Sequence, residues 1–276
     1  MKKIIAIILT LVLTCALFAA CGSSKEETDT DTATTTTESA LEKVKNAGKL
    51  SIATSPDFEP FEYYGDNNEI IGIEIDILNK VCEKLGVELE INAVDFESVL
   101  PGIQASKFDL GASGITVTEK RKENALFTDV YCLAAQAIVV TEGSDITCKA
   151  DLEGKKISVQ TGTTAESFCM ESGYDVSAFT ANSDAQAALT TGKVDAWVID
   201  DLTAAKMVDV YNAQGGDQLV ILSEAMTTEP YAFALSLDSE DLVAEINTVI
   251  QEMLADGSIE AIFANYNAPY TAPEED

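Results

Sequence analysis

The sequence predicts an α/β protein made of two lobes. Strand-like and helix-like hydrophobic patterns alternate from Leu41 onward, and the alternation begins again after a strand predicted at residues 135–140. Each of the two sets spans about 100 residues, the usual size of a domain. We expect residues 41–135 together with 234–270 to form lobe 1 and residues 136–233 to form lobe 2. The final helices would then return to lobe 1, which requires two crossover strands and a hinge.

Residues 1–20 have the pattern of an export signal. Two lysines precede an almost wholly apolar run at residues 4–18, and two alanines stand directly before Cys21. So short an N-terminal apolar run is typical of a removable signal peptide and not of a permanent membrane span. The small residues around Cys21 resemble a bacterial lipobox, which implies cleavage before Cys21 and attachment of lipid, such as palmitate, to its sulfur. Cys15 fits less well, and an ordinary secretory signal is the alternative; both interpretations export the protein.

Residues 21–40 are expected to form a flexible tether. From Ser23 to about Ala40 the chain is mostly Thr, Ser, Asp and Glu and has no large apolar residue. Such a segment cannot bury a hydrophobic core. A tether that follows a lipid anchor would let a folded domain explore the space near a membrane surface.

The first set of elements begins after the tether. Leu78, Val81, Cys82 and Leu85 are spaced as one face of a helix, and apolar residues alternate with polar ones over 87–93, as in a half-buried strand. The predicted elements, in order, are a strand at 49–54, the helix around 78–85, the strand at 87–93, a helix at 96–105, a strand at 108–112 and a helix beginning at 119–125.

The second set repeats the alternation. Its predicted elements are strands at 135–140 and 156–160, helices at 165–172 and 183–190, a strand at 194–199 and a helix at 202–211. Residues 231–235 are again strand-like, and a long amphipathic helix follows, with an apolar stripe that runs from Leu242 to Leu254.

The charge balance excludes some classes of partner. The formal net charge is -30, and the chain has no histidine. So acidic a surface repels nucleic acid and anionic lipid headgroups, so we expect no nucleic-acid partner. The lack of histidine removes the commonest metal ligand and general base. Solubility is the simpler explanation of the acidity itself.

The six cysteines do not indicate a metal site. None of them forms a C-x-x-C pair, so a zinc ribbon or a thioredoxin-like site is not expected. Cys82 lies on the apolar stripe of a predicted helix and is expected to be a small buried hydrophobe. A disulfide among Cys132, Cys148 and Cys169 is possible in an exported protein, and the sequence leaves it open.

Several motifs together resemble one known family. The segment at 72–77 (GIEIDI), followed by the helix stripe through Leu85, is similar to the signature of the family 3 extracellular solute-binding proteins, the receptors of polar amino-acid ABC importers. The resemblance covers residues 41–266. The other motifs occur in the family's order: SPDFEPF at 55–61, DF at 95–96, DLGASGITVTEKR at 109–121, FTD at 127–129, QTGTT at 160–164 and DAWVIDD at 195–201.

This resemblance implies both a fold and a function. The fold would be the type II periplasmic-binding-protein-like fold, with two lobes joined by two crossover strands and the ligand in the cleft. The protein would be an extracytoplasmic, lipid-anchored monomer that captures a polar or basic amino acid by hinge closure and delivers it to the permease subunits of an ABC importer. We expect no enzymatic activity, no cofactor and no metal.

Arg121 is the best candidate for binding the carboxylate of an amino acid. It follows Thr118, a predicted N-cap, and so lies in the first turn of a helix, where the helix dipole disfavours a cation. This local misfit suggests another use, because a guanidinium binds a carboxylate through two parallel hydrogen bonds. The family resemblance assigns the same role. The alternative is a surface salt bridge with Glu119 or Glu123.

Candidates for the other charges lie in the second set of elements. Residues 163–166 (TTAE) have the pattern of a capping box directly after a strand, so the loop 161–163 would direct free backbone N–H groups into the cleft as an anion site. Asp200 stands at the carboxyl end of a strand, where ligand sites of α/β proteins collect, and the resemblance assigns it to the ammonium group. Asp201 is its competitor, as a possible helix cap.

The resemblance implies further contacts. The rings of Phe58 and Phe96 would clamp the ligand side chain, and either could instead belong to the core. Glu59 or Glu62 could bind a cationic side chain if it points inward. The complete set of predicted ligand-binding residues is Ser55, Phe58, Phe96, Ser113, Gly114, Thr116, Arg121, Gln160, Thr163, Thr164 and Asp200.

Two other functions compete with transport. An enzyme on the same fold, resembling a dehydratase or a lytic transglycosylase, is disfavoured because the sequence offers no histidine, no nucleophile elbow and no evident pair of catalytic carboxylates. A receptor that presents an amino acid to a separate sensor is the other alternative.

Overall fold

The computed structural model of the protein describes residues 38–273. The predicted signal peptide, Cys21 and most of the predicted tether lie outside these residues. The helix α1 begins at Ala40, within the range expected for the tether, because Ser39 and Glu42 form a complete capping box at its start.

Strands and helices alternate through the described residues. The strands are β1 (Lys49–Thr54), β2 (Asp57–Phe58), β3 (Glu62–Tyr64), β4 (Ile70–Ile71), β5 (Glu88–Ala93), β6 (Leu110–Gly111), β7 (Leu126–Phe127), β8 (Cys132–Ala134), β9 (Gln136–Thr141), β10 (Lys156–Gln160), β11 (Asp175–Phe179), β12 (Ala196–Asp200), β13 (Leu219–Ile221), β14 (Glu229–Tyr231) and β15 (Ala234–Leu235). The α-helices are α1 (Ala40–Ala47), α2 (Ile73–Leu85), α3 (Phe96–Gln104), α4 (Glu119–Lys122), α5 (Thr164–Glu171), α6 (Asn182–Thr190), α7 (Asp201–Ala213), α8 (Glu240–Ala255) and α9 (Ser258–Asn265).

The first five-stranded sheet has the strand order β5-β1-β6-β15-β7. Strand β1 runs parallel to β5 and β6, whereas β15 runs antiparallel to β6 and β7. Helices α1, α2, α3, α8 and α9 pack on this sheet or on one another. We call this assembly lobe 1; the last two helices of the described residues, α8 and α9, belong to it.

The second five-stranded sheet has the order β11-β10-β12-β9-β13. Its strands β10, β11 and β12 are parallel, and β9 and β13 run antiparallel to their neighbours. Helices α5, α6 and α7 pack on it, and we call this assembly lobe 2. Strand β12 is buried over its whole length, with helices α5, α6 and α7 packed against it, which explains its apolar run through Trp197.

Two antiparallel strands carry the chain between the lobes. Strand β8 leads into β9 of lobe 2, and β14 leads back to β15 of lobe 1; the two pair with Glu229 opposite Ala134 and Tyr231 opposite Cys132. These are the two predicted crossover strands. None of the helices in residues 38–273 combines the length and the apolarity needed to cross a membrane.

Some local predictions differ from the structure. The helix predicted from 119 is a single turn, α4, because Glu123 already ends it. The hairpin strands β2, β3 and β4 and the strand β11 were not predicted, since two- and three-residue strands carry too little periodicity and β11 is only half-buried. The four cysteines within the described residues are free thiols, so no disulfide joins Cys132, Cys148 and Cys169, and Cys82 is buried as expected.

Candidate functional site

One cavity is lined by all eleven residues that the sequence predicts as ligand-binding. Five more residues complete its lining, namely Asp57, Ala165, Asn182, Val198 and Ile199. Part of the polar lining lies at the carboxyl ends of parallel strands: Ser55 and Ser113 come after β1 and β6 of the first sheet, and Gln160 and Asp200 end β10 and β12 of the second. The carboxyl ends of parallel strands within one sheet lie at the same edge, and the cavity is lined from one such edge of each sheet, which is why residues so distant in sequence meet here.

Arg121 is held in place by contacts from both lobes. Its backbone N–H donates to the hydroxyl of Thr118 at 3.2 Å, which confirms Thr118 as the N-cap of α4. Its Nη1 donates to the carbonyl oxygen of Thr116 at 2.8 Å, and its Nη2 donates to the carbonyl oxygen of Gly162 in lobe 2 at 3.2 Å. The guanidinium also lies 5.7 Å from the ring centroid of Phe96.

The guanidinium of Arg121 keeps donors for a ligand. Only two of its five N–H groups are used by the bonds above. Within residues 38–273 no carboxylate lies within 4.0 Å of it, and Glu119 pairs instead with Lys122 at 2.9 Å, so the alternative salt bridge is absent. Burial lowers the pKa of Arg121, while the negative charges of Glu229 and Asp200 oppose that shift. An unpaired cation in this cavity is suited to a carboxylate.

The N-terminus of α5 forms the second half of the anion subsite, although the predicted capping box is incomplete. Thr163 is the N-cap and accepts from the N–H of Glu166 at 3.1 Å, but the Glu166 carboxylate accepts from Gly162 at 2.7 Å, so the reciprocal bond of a capping box is missing. The N–H of Thr161 donates to Phe179. The loop amides at 161 and 162 are therefore engaged. At the start of α5, the N–H groups of Thr163, Thr164 and Ala165 have no acceptor within residues 38–273.

Asp200 is the buried carboxylate of the cavity. It ends β12 and precedes α7, and its side-chain oxygens accept hydrogen bonds from the hydroxyl of Tyr231 and the amide of Gln136. Burial raises the pKa of Asp200 well above its usual range, and the charge of Glu229 adds to this shift. The competitor Asp201 accepts from the N–H groups of Ala135 and Leu202 and does not line the cavity.

Asp57 is a second carboxylate in the cavity, which the sequence analysis missed. It accepts from the Ser55 hydroxyl at 3.1 Å, from the Gln160 side-chain amide at 3.3 Å and from the backbone N–H of Asn182 at 2.8 Å, so it also joins the two lobes. Burial is the largest cause of its raised pKa. Its position two residues after Ser55 could have found it, because residues two apart in an extended chain share a side.

The acidic residues that were predicted as alternatives do not reach the cavity. Glu62 is fully buried and accepts a hydrogen bond from Ser113 at 2.9 Å, and Glu59 is not part of the lining. The suggestion that either could bind a cationic side chain is therefore wrong for Glu62 and finds no support for Glu59.

Glu229 links the two lobes from the crossover strand β14. Its Oε2 accepts from the Thr116 hydroxyl of lobe 1 at 2.7 Å and from the Thr164 hydroxyl of lobe 2 at 2.9 Å. Its Oε1 accepts from Thr227 at 2.5 Å. Glu229 is buried behind the lining, and no motif singled it out.

The aromatic wall includes both predicted rings. Phe58 stacks on Phe61 with centroids 5.6 Å apart, and Phe96 lies against Arg121. Gly114 passes directly beside Phe58 with a φ of +52°, and a Cβ at this position would lie 2.4 Å from the ring. A glycine is therefore required to bring the backbone of 113–114 to the cavity.

Comparisons with known proteins agree with this geometry. A family model described as bacterial extracellular solute-binding proteins, family 3, matches residues 50–269. The chain is 28% identical over 229 residues to the L-cystine-binding protein TcyJ of Escherichia coli K12, with 82% of this chain and 85% of the relative covered. It is 30% identical over 263 residues to the arginine-binding extracellular protein ArtP of Bacillus subtilis 168, with 92% and 95% covered.

Solved structures show the same architecture. The holo form of ArgBP from T. maritima matches with a TM-score of 0.73 and 36% identity, covering 80% of this chain and 99% of that one. The ancestral amino acid-binding protein AncCDT-1, a precursor of cyclohexadienyl dehydratase, matches with a TM-score of 0.76 and 28% identity, covering 83% and 99%. The predicted two-lobed, type II periplasmic-binding-protein-like fold is thus confirmed.

Proposed function

The chain belongs to the bacterial extracellular solute-binding proteins of family 3, and from this premise we propose that it captures a free amino acid and delivers it to the permease subunits of an ABC importer. One observation carries the proposal: the unpaired donors of Arg121 and of the α5 N-terminus share a cavity with the buried carboxylate of Asp200. A zwitterion needs these two charges in one enclosed site, because an unpaired buried charge costs several kcal/mol.

Each charged subsite draws on both lobes. Arg121 of lobe 1 and the N–H groups of Thr164 and Ala165 in lobe 2 would bind the ligand carboxylate. Asp200 of lobe 2 would bind the ammonium group together with Thr116 of lobe 1. Neither subsite is complete unless the lobes are together, which supports hinge closure around the ligand as the binding mechanism.

We propose that the ligand carries one positive charge more than a neutral zwitterion, as arginine, lysine and ornithine do. The charged residues of the lining are Arg121, Asp57 and Asp200, so the lining carries an excess of one negative charge when all three are ionised. A zwitterion leaves this excess unbalanced, whereas a cationic side chain placed against Asp57 removes it. Relatives described as arginine-binding proteins are consistent with this class, whereas the relative described as an L-cystine-binding protein takes a ligand without the extra charge.

A thermal-shift screen of the twenty amino acids with ornithine and cystine tests the proposal, followed by calorimetry on the hits. A ligand present at about 100 times its Kd stabilises the native state by about 2.7 kcal/mol, which raises the melting temperature measurably. We expect arginine, lysine or ornithine to give the largest shift. Asp57→Asn should weaken binding of the cationic ligand at least about tenfold more than binding of glutamine, because both ligands lose the bonds of Asp57 between the lobes but only the cationic side chain loses a charge partner. The exposed Asp66→Asn is the matched control. No shift with any amino acid would end the proposal.

We propose that the protein binds its ligand without converting it into a product. The structural neighbour AncCDT-1 shows that the fold is related to a dehydratase precursor, so the question is testable and not settled by the fold. Prolonged incubation of the protein with its ligand, followed by mass spectrometry, should recover the ligand unchanged. A new product that depends on Asp200 would establish an enzyme.

We also propose that the mature protein is an extracytoplasmic monomer held to the cell membrane by lipid on Cys21. The apolar segment and the small residues before Cys21 support export and lipidation. Relatives whose descriptions read extracellular or periplasmic support the location. Light scattering of the protein truncated before Glu38 should give the mass of one copy.

A further inference from the structure

Two glutamates are buried together beneath the loop that carries Ser113 and Gly114. Glu62 lies on β3 and Glu74 in the first turn of α2, and neither side chain is exposed to solvent. Within residues 38–273 no lysine or arginine forms a salt bridge with either. Two unpaired carboxylates at this depth would be strongly unfavourable if both were ionised.

The hydrogen bonds of the pair lead directly to the cavity. Gly114 N–H donates to Glu74 Oε1 at 3.2 Å, and the hydroxyl of Tyr131 donates to the same oxygen. Ser113 Oγ donates to Glu62 Oε1 at 2.9 Å and accepts the N–H of Ser55 at 3.0 Å. Three residues of the cavity lining, Ser55, Ser113 and Gly114, are therefore fixed by these two carboxyl groups.

The Oε2 atoms of Glu62 and Glu74 indicate where a proton lies between the two side chains. Glu62 Oε2 and Glu74 Oε2 are both buried, and neither has a hydrogen-bond partner within residues 38–273. Their other oxygens bond to the adjacent residues Ser113 and Gly114, and the N–H of Glu74 donates to the carbonyl oxygen of Phe61 at 3.1 Å, so the two carboxyl groups lie side by side. Ionised carboxylates only accept hydrogen bonds, so two neighbouring carboxylates cannot satisfy these oxygens, whereas one proton between them satisfies both.

We propose that Glu62 and Glu74 share one proton, with Glu62 as the donor and Glu74 as the carboxylate, and that this pair positions Ser113 and Gly114 against the ligand. Glu74 is the better carboxylate because it accepts from Gly114 and Tyr131 and lies in the first turn of α2, where the helix dipole favours negative charge. The positioning role rests on the proposed function, whereas the proton sharing does not.

The surroundings of the pair keep the proton in place. Asp57 adds negative charge near Glu62, and Tyr131 and Cys132 are the other titratable groups that face Glu74; among residues 38–273 no lysine or arginine forms a salt bridge with the pair. Burial and the neighbouring Glu74 raise the pKa of Glu62 well above its usual range. Loss of the shared proton is therefore disfavoured.

Three glutamine variants test the pair. In Glu62→Gln the amide replaces the proton donor, and in Glu74→Gln the amide donates to an ionised Glu62, so each single variant keeps one donor between the side chains and the same net charge. We expect both to bind the ligand within about threefold of the wild type, with Glu74→Gln the less stable of the two because the charge moves to the poorer site. The double variant turns two N–H₂ groups toward each other and should lose at least about tenfold in affinity. Glu88→Gln, at an exposed position, is the control.

Infrared spectroscopy tests the proton without any ligand. In the ligand-free protein at neutral pH, the difference spectrum between the wild type and Glu62→Gln should contain the C=O stretch of a buried protonated carboxyl, which separates this proton from any proton on Asp200. Ligand affinity of the wild type should fall at alkaline pH relative to that of Glu62→Gln, in which no shared proton can be lost.

An absent carboxyl band, or a double variant that folds and binds as well as the singles, overturns the proposal. If the band is present but the wild type binds no amino acid, the proton sharing stands and the positioning role fails with the proposed function. If the double variant does not fold, the band and the pH profiles of the single variants decide.

Discussion

Arg121 donates a hydrogen bond to the backbone carbonyl oxygen of Gly162 at 3.2 Å, and this bond crosses from lobe 1 to lobe 2. It places the guanidinium beside the start of α5, where the N–H groups of Thr164 and Ala165 lack acceptors within the described chain. A cation and two free amide donors meet where neither lobe alone would make a complete anion site. The relationship explains why a ligand carboxylate would favour the closed arrangement of the lobes.

Arg121→Ala should therefore abolish amino-acid binding. Truncating one partner of a buried, hydrogen-bonded charge pair costs about 2–5 kcal/mol, or roughly 30-fold or more in affinity. Arg121→Lys should recover only part of the loss, since an ammonium cannot donate two parallel bonds. Isothermal titration calorimetry measures the affinity, and thermal unfolding shows whether the variant folds. The adjacent Lys122→Ala, which removes an exposed cation paired with Glu119, should bind normally. Full affinity in Arg121→Ala would refute the assignment.

Lipid attachment can be tested with a matched pair of cysteines. Cys21→Ala should release the protein from the membrane fraction and eliminate incorporation of labelled palmitate, because the thiol is the proposed attachment point. Cys15→Ala should leave both unchanged, since Leu13 and Thr14 precede that cysteine in place of small residues. Labelling and cell fractionation in a bacterial host provide the measurement. Equal labelling of the wild type and Cys21→Ala would leave an ordinary secretory signal as the explanation.

The sequence predicts the site well where a residue has a local reason to be there. Arg121 stands in a helix turn that disfavours a cation, and Asp200 ends an apolar strand; both features are visible in a few consecutive residues. Each of these positions can be found without knowledge of the tertiary structure.

The parts that the sequence does not reveal depend on contacts between distant segments. Glu229 acts through Thr116 and Thr164, which are 113 and 65 residues away. Glu62 looked like a candidate for the ligand side chain, yet it turns inward to Ser113 and Glu74, because a three-residue strand gives no clear face. Of the loop amides predicted to face the cavity, those of Thr161 and Gly162 are engaged, because the partners of the Phe179 carbonyl and of the Glu166 carboxylate are set by loop geometry.

Asp200→Asn should change ligand-free stability in a pH-dependent way. Burial raises the pKa of Asp200 above its unfolded value, so between these two values the native state holds a proton that the unfolded state has lost. Wild-type stability therefore falls as pH rises from about 4 through the native pKa, by up to about 1.4 kcal/mol per pH unit from this group. The variant lacks this contribution, so its stability relative to the wild type should increase with pH. Urea denaturation at several pH values measures it.

The same substitution should act on affinity in the opposite direction. Only ionised Asp200 can pair with the ligand ammonium, so wild-type affinity should rise with pH through the native pKa, while Asp200→Asn should bind at least about 30-fold more weakly at neutral pH. Asp217→Asn removes an exposed charge of the same sign and should change neither profile. Parallel pH profiles for Asp200→Asn and the wild type would show that this carboxylate does not bear the raised pKa.

Closure should depend on the hydroxyl groups that meet at Glu229. Thr164→Val keeps the shape of the side chain but removes the 2.9 Å bond to Glu229 Oε2, while the bond from Thr116 in lobe 1 remains. Since a hydrogen bond to a charged group contributes about 1.5–3 kcal/mol, affinity should fall about tenfold or more. The loss should appear in the dissociation rate, because the bond exists only when the lobes are together. Thr248→Val, on the exposed face of α8, is the matched control.

Stopped-flow fluorescence gives the rates, and small-angle scattering should show that ligand-saturated Thr164→Val is less compact than the wild type. A slower association rate with unchanged dissociation would instead mean that Thr164 acts before the lobes close.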